Sequence, residues 1–310
     1  MSIGRVRQAL TGISGVHVTP YRADGSVDAA LMGRVVDLIA SAGVHNVVAG
    51  GNTGEFYTLT PAEIRLVHET AVAAAEGRSL VTAAVGRSLT EAVAAAKDAA
   101  GMGADAVMSH QPLDPFAAPA AQVDYFLGIA EAAPVPLVAY VRSNDIGLAD
   151  LIRLAAHPNL AGIKFATPNL MLLAEAIRAT AHLSAIWICG LAEGWAAPFY
   201  ALGARGFTSG LVNVAPARSL AIHAALESGD TTKARRLVAE IAAFETMRTR
   251  YNNGANVTVV KEAMALMGYP VGPVRPPGLV ALDDADRAKL ADVVKGWGVA
   301  GARGTLAAAE

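Results

Sequence analysis

Residues 135–165 read VPLVAYVRSNDIGLADLIRLAAHPNLAGIKF, and one complete unit of the chain's plan is contained in them. VPLVAYV (135–141) and LAGIKF (160–165) are apolar runs of strand length, and segment 148–157 between them repeats its apolar residues at helical spacing. A strand, a crossover helix and a second strand make a parallel βαβ unit. The same alternation continues outward on both sides. Strands are expected at 13–18, 44–50, 80–86 and 104–109 before it and at 185–190 and 205–211 after it, eight in all. Helices are expected near 28–42, 61–76, 89–102, 119–132, 168–180, 191–202 and 215–228. Thr60-Pro61 with Glu63 carries a helix-start signature, and Thr167-Pro168 and Ala215-Pro216 repeat its proline. Gly43, Gly103 and Gly203 stand where helices should end.

Eight β-then-α units predict an α/β chain of the closed (β/α)8 TIM-barrel type, with an open doubly wound sheet as the competing topology. The strands stop near residue 225. Helices at 231–250, 257–267 and 284–297 follow, the last two separated by the Pro- and Gly-rich loop 269–278. The expected organisation is therefore a barrel over 1–225 and a C-terminal helical extension over 226–310 packed on it.

Composition agrees with a large core. Of 310 residues 53% are hydrophobic and 17% charged, which excludes a disordered chain. Lys and Arg number 25 against 27 Asp and Glu, a formal net charge of −2 with no basic run, so a nucleic-acid partner is not expected. The single cysteine, Cys189, rules out an intrachain disulfide framework and reads as a small core residue. No signal-peptide stretch and no apolar run long enough to span a membrane is present, so no membrane association and a cytoplasmic location are expected. The seven histidines, His17 and His110 among them, show no tight metal-ligand spacing, so no metal is expected. Gly101-Met102-Gly103 precedes a strand instead of following one, which removes a dinucleotide-binding reading.

Active sites of such barrels gather at the C-terminal ends of the strands. There the sequence offers Gly50-Gly51-Asn52-Thr53-Gly54-Glu55, Ser109-His110-Gln111, Tyr140-Val141-Arg142-Ser143-Asn144, Lys164 and Thr208-Ser209-Gly210. Lys164, between Ile163 and Phe165, is expensive to bury while charged. Desolvation lowers a lysine pKa, and a neutral amine attacks carbonyls. The other reading is a lysine whose head reaches the rim or pairs with an acid. Tyr140, at the equivalent end of the neighbouring strand, is either a proton-relay phenol or a core residue with a satisfied hydroxyl. The 51–54 loop offers backbone N–H groups and the Thr53 hydroxyl to a carboxylate, or is an ordinary tight turn. Glu55 reads as structural, and Lys233, Arg235 and Arg236 as a solvated helix face.

Gly51-Asn52-Thr53-Gly54-Glu55, Tyr140 and Gly162-Ile163-Lys164, in this order and at these separations, resemble the dihydrodipicolinate synthase / N-acetylneuraminate lyase family. So do Val18-Thr19-Pro20-Tyr21 with Asp24-Gly25-Ser26-Val27-Asp28, and Asn213-Val214-Ala215-Pro216; the likeness spans about residues 13–300. The resemblance implies a (β/α)8 barrel with C-terminal helices, a homo-oligomer (tetramer or dimer), and a Schiff base between lysine and a 2-keto acid with no separate cofactor. It makes Lys164 the imine-forming lysine and Tyr140 the relay phenol. Thr53, with Asn52, Gly54 and the loop backbone, becomes the keto-acid carboxylate site. Ser209 and His110 are expected as further substrate contacts from their places at the ends of strands 8 and 4.

The departures narrow the expectation. The synthase branch has an arginine near the position of Asp145 and a tyrosine pair after strand 4, where this chain has Gln111-Pro112-Leu113-Asp114. Both losses argue against lysine biosynthesis and leave a relay that needs water or His110. Gly54-Glu55-Phe56, Tyr140-x-Arg142-x-Asn144 and Gly272-Pro273-Val274-Arg275-Pro276-Pro277 are similar to the 5-dehydro-4-deoxyglucarate dehydratase branch. In that role Arg142 would clamp a distal carboxylate bidentately, against the alternative of a rim salt bridge. The leading expectation is a decarboxylating dehydratase, with a pyruvate-dependent aldolase as alternative. A 2-keto acid binding protein without turnover is the alternative of another class.

Overall fold

The computed structural model describes residues 2–299. Eight parallel strands close into one barrel in sequence order: β1 (Ile13–Val16), β2 (Asn46–Ala49), β3 (Leu80–Val85), β4 (Ala106–Ser109), β5 (Leu137–Val141), β6 (Leu160–Phe165), β7 (Ile186–Cys189) and β8 (Phe207–Ser209). β8 closes on β1 through Ile13 opposite Phe207 and Ser14 opposite Thr208. The open-sheet alternative is thereby excluded. All eight expected strands are present, most of them shorter than the apolar runs that announced them. Residues such as Val18 and Val44 are fully buried in the adjoining loops, so apolar content extends beyond the hydrogen-bonded ladder.

Helices α1 (Ile3–Leu10), α2 (Ala29–Ser41), α3 (Pro61–Ala75), α4 (Leu89–Met102), α5 (Pro119–Ala132), α6 (Leu148–Ala155), α7 (Leu170–Ala179), α8 (Glu193–Ala201) and α9 (Pro216–Glu227) accompany the strands. α1 was not anticipated. It covers the N-terminal end of the barrel, with Leu10 buried and Arg7 Nη2 donating to Leu160 O at 3.0 Å. α3 begins with the expected reciprocal cap, in which the Thr60 hydroxyl accepts from Glu63 N and the Glu63 carboxylate accepts from Thr60 N. α7 starts after Pro168, because the Asn169 side chain caps Leu172 N. Inside the barrel a polar layer, Asn46 donating to Ser14 and accepting from Thr82, fills the floor below the strand ends.

Beyond the barrel lie α10 (Thr231–Arg248), the short turn α11 (Arg250–Asn253), α12 (Asn256–Leu266) and α13 (Asp284–Gly296). α10 packs on α8 and α9, and α12 and α13 pack on α10. α9 runs just past the boundary expected at 225, and residues 300–310 of the expected extension lie outside the described residues. α12 also touches the loop that follows β2, which brings the C-terminal helices to the end of the barrel where the strands finish.

Candidate active site

Register places Tyr140 on β5 directly beside Lys164 on β6. Lys164 is 4% exposed, and its Nζ lies 3.7 Å from the centroid of the Tyr140 ring. Among the described residues no carboxylate pairs with this amine. Burial first, and then the positive charge of Arg142, bring its pKa down to about 7. Tyr140 is also buried, which raises its phenol pKa, and its hydroxyl accepts from Asn52 Nδ2 at 3.2 Å.

Asn52 and Thr53 belong to the turn after β2. Gly51 is needed there: a Cβ on it would stand 2.5 Å from a Val16 methyl. The turn ends at Glu55, whose φ of 63° is a left-handed conformation uncommon for a side-chain-bearing residue. Glu55 is nevertheless held from the far end of the chain. Its carboxylate accepts from Lys261 Nζ of α12 at 2.5 Å and from Arg275 N at 2.8 Å. Lys261 also donates to Pro273 O, and the Arg275 guanidinium pairs with Glu63. The Gly272–Pro277 stretch therefore pins the loop from outside the cavity; its contacts are with Glu55, Glu63 and the first βα loop.

These parts enclose a cavity of about 80 Å³ at the C-terminal ends of the strands, lined by Asn52, Thr53, Tyr140, Lys164, Thr208, Arg248 and Asn256 among others. Larger clefts of about 170 and 460 Å³ lie against α3 and α4 and against α12. We assign the site to the smaller cavity because it contains the buried, unpaired amine. Lys164, Tyr140, Asn52 and Thr53, expected from sequence, are brought together here. Gly54 lies beneath the turn, its carbonyl accepting from Thr19 Oγ1. Ser209 lines the cavity, but its hydroxyl is committed behind β8, donating to Glu193 Oε1 at 2.5 Å. His110 stacks on Phe56, with its ring centroid 5.7 Å from that of Tyr140, and is not among the cavity-lining residues. Burial lowers its pKa to about 3, so the imidazole is neutral at physiological pH and supplies no imidazolium to the relay. Arg142 is exposed, 5.8 Å from the Tyr140 ring centroid, and outside the lining.

Arg248 and Asn256 were missed, and the buried acid Glu193 lies behind β8. Glu193 accepts from the Ser209 and Ser219 hydroxyls, and burial with Glu245 nearby holds its carboxyl above the usual carboxylate range. Nothing in the local sequence marks Arg248, since an arginine near a helix end reads as solvated. Its burial is a consequence of how α10 and α12 cross the barrel. Among the described residues no group of His, Cys, Asp and Glu could hold a metal ion, and no helix is long and apolar enough to cross a membrane.

Residues 9–296 match the Dihydrodipicolinate synthetase family. The chain belongs to this family. It is 33% identical to an uncharacterized DapA-like lyase of Halobacterium salinarum over 91% of this chain and 92% of that protein. To a probable 5-dehydro-4-deoxyglucarate dehydratase of Methylobacterium radiotolerans it is 30% identical, over 92% and 94%. The crystal structure of dihydrodipicolinate synthase from Bacillus clausii superposes with a TM-score of 0.91 at 36% identity, covering 94% of this chain and 99% of that one. Like other members of the dihydrodipicolinate synthetase family, the protein is an enzyme of the lyase class acting on a small molecule. The relatives divide between synthase and dehydratase at similar identity.

Proposed function

We propose that this protein is a Schiff-base lyase for a 2-keto sugar acid, a decarboxylating dehydratase of the 5-dehydro-4-deoxyglucarate type. The observation that carries the Schiff-base part is Lys164: a buried amine with no acid partner among the described residues, titrating near 7 and facing a cavity. Its neutral form attacks the C2 ketone, water leaves, and the protonated imine acts as an electron sink. That sink acidifies the C3 proton. The β-hydroxyl leaves as water, decarboxylation uses the extended conjugation, and hydrolysis of the final imine takes up the water lost in its formation and returns the Lys164 amine, so one keto-diacid yields 2,5-dioxopentanoate, carbon dioxide and one water. Tyr140, oriented by Asn52, handles the protons at the imine, and Thr53 takes the keto-acid carboxylate. No cofactor beyond the lysine is needed. The dehydratase reading is supported by Asp145 and Gln111-Pro112-Leu113, which stand where the synthase branch has its arginine and tyrosines.

A second reading, a pyruvate-dependent aldolase, is favoured by the small volume of the cavity, which suits a three-carbon keto acid. We place the enzyme in the cytoplasm as a homo-oligomer. Leu113 (65% exposed) and Phe116 (93% exposed), in the loop after β4, offer an apolar surface for a second copy. The test is borohydride reduction in the presence of pyruvate and of keto-diacids, read by intact mass, beside Lys164→Ala. An adduct in the parent alone supports the imine, and its absence with every ketone sinks the proposal. Carbon dioxide plus a semialdehyde identifies the dehydratase, whereas pyruvate plus an aldehyde identifies the aldolase.

A further inference from the structure

Arg248 ends α10 with its side chain buried (5% exposed) and lines the same cavity as Lys164. Its Nε and Nη2 both donate to Asn256 Oδ1, at 2.9 and 2.7 Å, and its Nη1 donates to Glu245 Oε1 at 2.7 Å. A guanidinium carries five N–H donors, so these bonds leave one free donor on each terminal nitrogen. Asn256 and Glu245 fix the plane of the group, which is what a fork needs to meet a carboxylate without losing side-chain freedom.

Gly210 shows where that fork faces. A Cβ built on Gly210 would stand 2.5 Å from Arg248 Nη2 and 3.4 Å from Thr53 Oγ1. The missing side chain at Gly210 thus leaves open the space between a fixed cation and a hydroxyl. The backbone at Gly210 has φ −93° and ψ −21°, which any residue adopts, so conformation does not require glycine there; the space does. A clip joining α10 to α12 would need only the bonds to Asn256, with Glu245 on α10 itself steadying the group. It would not need donors left over beside Thr53.

We propose that Arg248 is a substrate-binding, specificity-determining residue whose free N–H groups take a carboxylate of the 2-keto acid beside Thr53. That carboxylate is either the one next to the ketone or the remote one of a diacid. The inference deepens the Schiff-base reading and relies on it for the position of the ketone, but carboxylate binding itself needs no imine.

The experiment titrates three ketones, hydroxyacetone (no carboxylate), pyruvate (one) and 2-oxoglutarate (two), against borohydride trapping in the parent and in Arg248→Gln. Ligand-observed NMR on Lys164→Ala, with and without Arg248→Gln, measures binding of the two acids without an imine. Removing one partner of a buried charge pair weakens half-saturation by about 100-fold. Loss with both acids assigns the carboxylate beside the ketone, loss with 2-oxoglutarate alone assigns the remote one, and hydroxyacetone is unchanged in both cases. An equal change for all three ketones, or none, overturns the proposal in favour of a structural clip. Should the parent trap no ketone, the Schiff-base reading fails while the NMR arm still decides Arg248. Should Arg248→Gln unfold, Gly210→Ala, which fills the space with a methyl group, is expected to discriminate among the ligands in the same way.

Discussion

Lys164 and Lys261 are a matched pair in two regions. Both are buried, at 4% and 2% exposure, and each holds its ammonium nitrogen over a tyrosine ring, 3.7 Å from the Tyr140 centroid and 4.1 Å from that of Tyr21. Burial lowers the pKa of both. They differ in their partners. Lys261 has the Glu55 carboxylate at 2.5 Å and a backbone carbonyl, and among the described residues Lys164 has neither kind of acceptor. An ion pair returns much of the electrostatic energy lost on desolvation, so the Glu55 carboxylate opposes the lowering of the Lys261 pKa by burial and ties α12 to the β2 turn. Without such a partner the amine of Lys164 sheds its proton near neutrality, which is the state a carbonyl chemist needs. In the proposed mechanism one buried lysine is a fastener and the other a reagent, and the carboxylate makes the distinction.

The largest effect expected from breaking this comparison is on chemistry. Lys164→Ala should reduce turnover by about 10⁴-fold or more and abolish the borohydride adduct, whereas Lys261→Met should leave an adduct forming in whatever fraction stays folded. Next in size is stability. Lys261→Met strands the Glu55 carboxylate in the interior and should cost about 3–5 kcal/mol in denaturant unfolding. Lys164→Met removes an uncompensated amine and should be neutral or stabilising in the same measurement. If the two methionine variants lose equal stability, the contrast between the lysines is wrong.

Tyr140→Phe should slow turnover by about 10²-fold, leaving adduct mass unchanged, because the phenol moves protons and does not form the covalent bond. The pH dependence is gentler. Trapping should fall about tenfold per pH unit below 7 and level off above it, as the neutral amine is lost on acidification. The stability sign follows from the same shift. The unfolded lysine holds its proton up to about 10.5 and the folded one only to about 7, so the unfolded chain binds more protons in that window. This group's contribution to stability therefore increases with pH between those values. It is fully present above the upper value and lost as pH falls through the lower. The smallest effect belongs to Arg142→Gln: removing a positive charge near the amine should move the acid limb of the trapping profile upward by a fraction of a pH unit.

Much of the barrel was legible in the chain because apolar runs and helical periods are local properties. Gly43, Gly103 and Gly203 all take positive φ at helix ends, where the sequence placed them. Lys164 was legible for the same reason: a charged residue inside a six-residue apolar strand contradicts its surroundings. α1 was not read, since its short polar sequence becomes a helix by closing the barrel floor. His110 and Arg142 were expected at the cavity from their places after β4 and β5, but the side chains fall behind and beside Tyr140. Arg275 was read as part of a family stretch, and its geometry makes it an anchor for Glu63 and Glu55.

By itself the sequence determined the order and number of the barrel units, the apolar strand that carries Lys164, and the glycine turn that presents Asn52 and Thr53. These follow from periodicity and backbone sterics, which act over a few residues. Only the tertiary structure decided which buried cation finds a carboxylate. Glu55 meets Lys261, and among the described residues Lys164 meets none, through contacts between segments that chain closure and helix packing bring together. Charge compensation depends on distance in space, and that distance is absent from the order of residues along the chain.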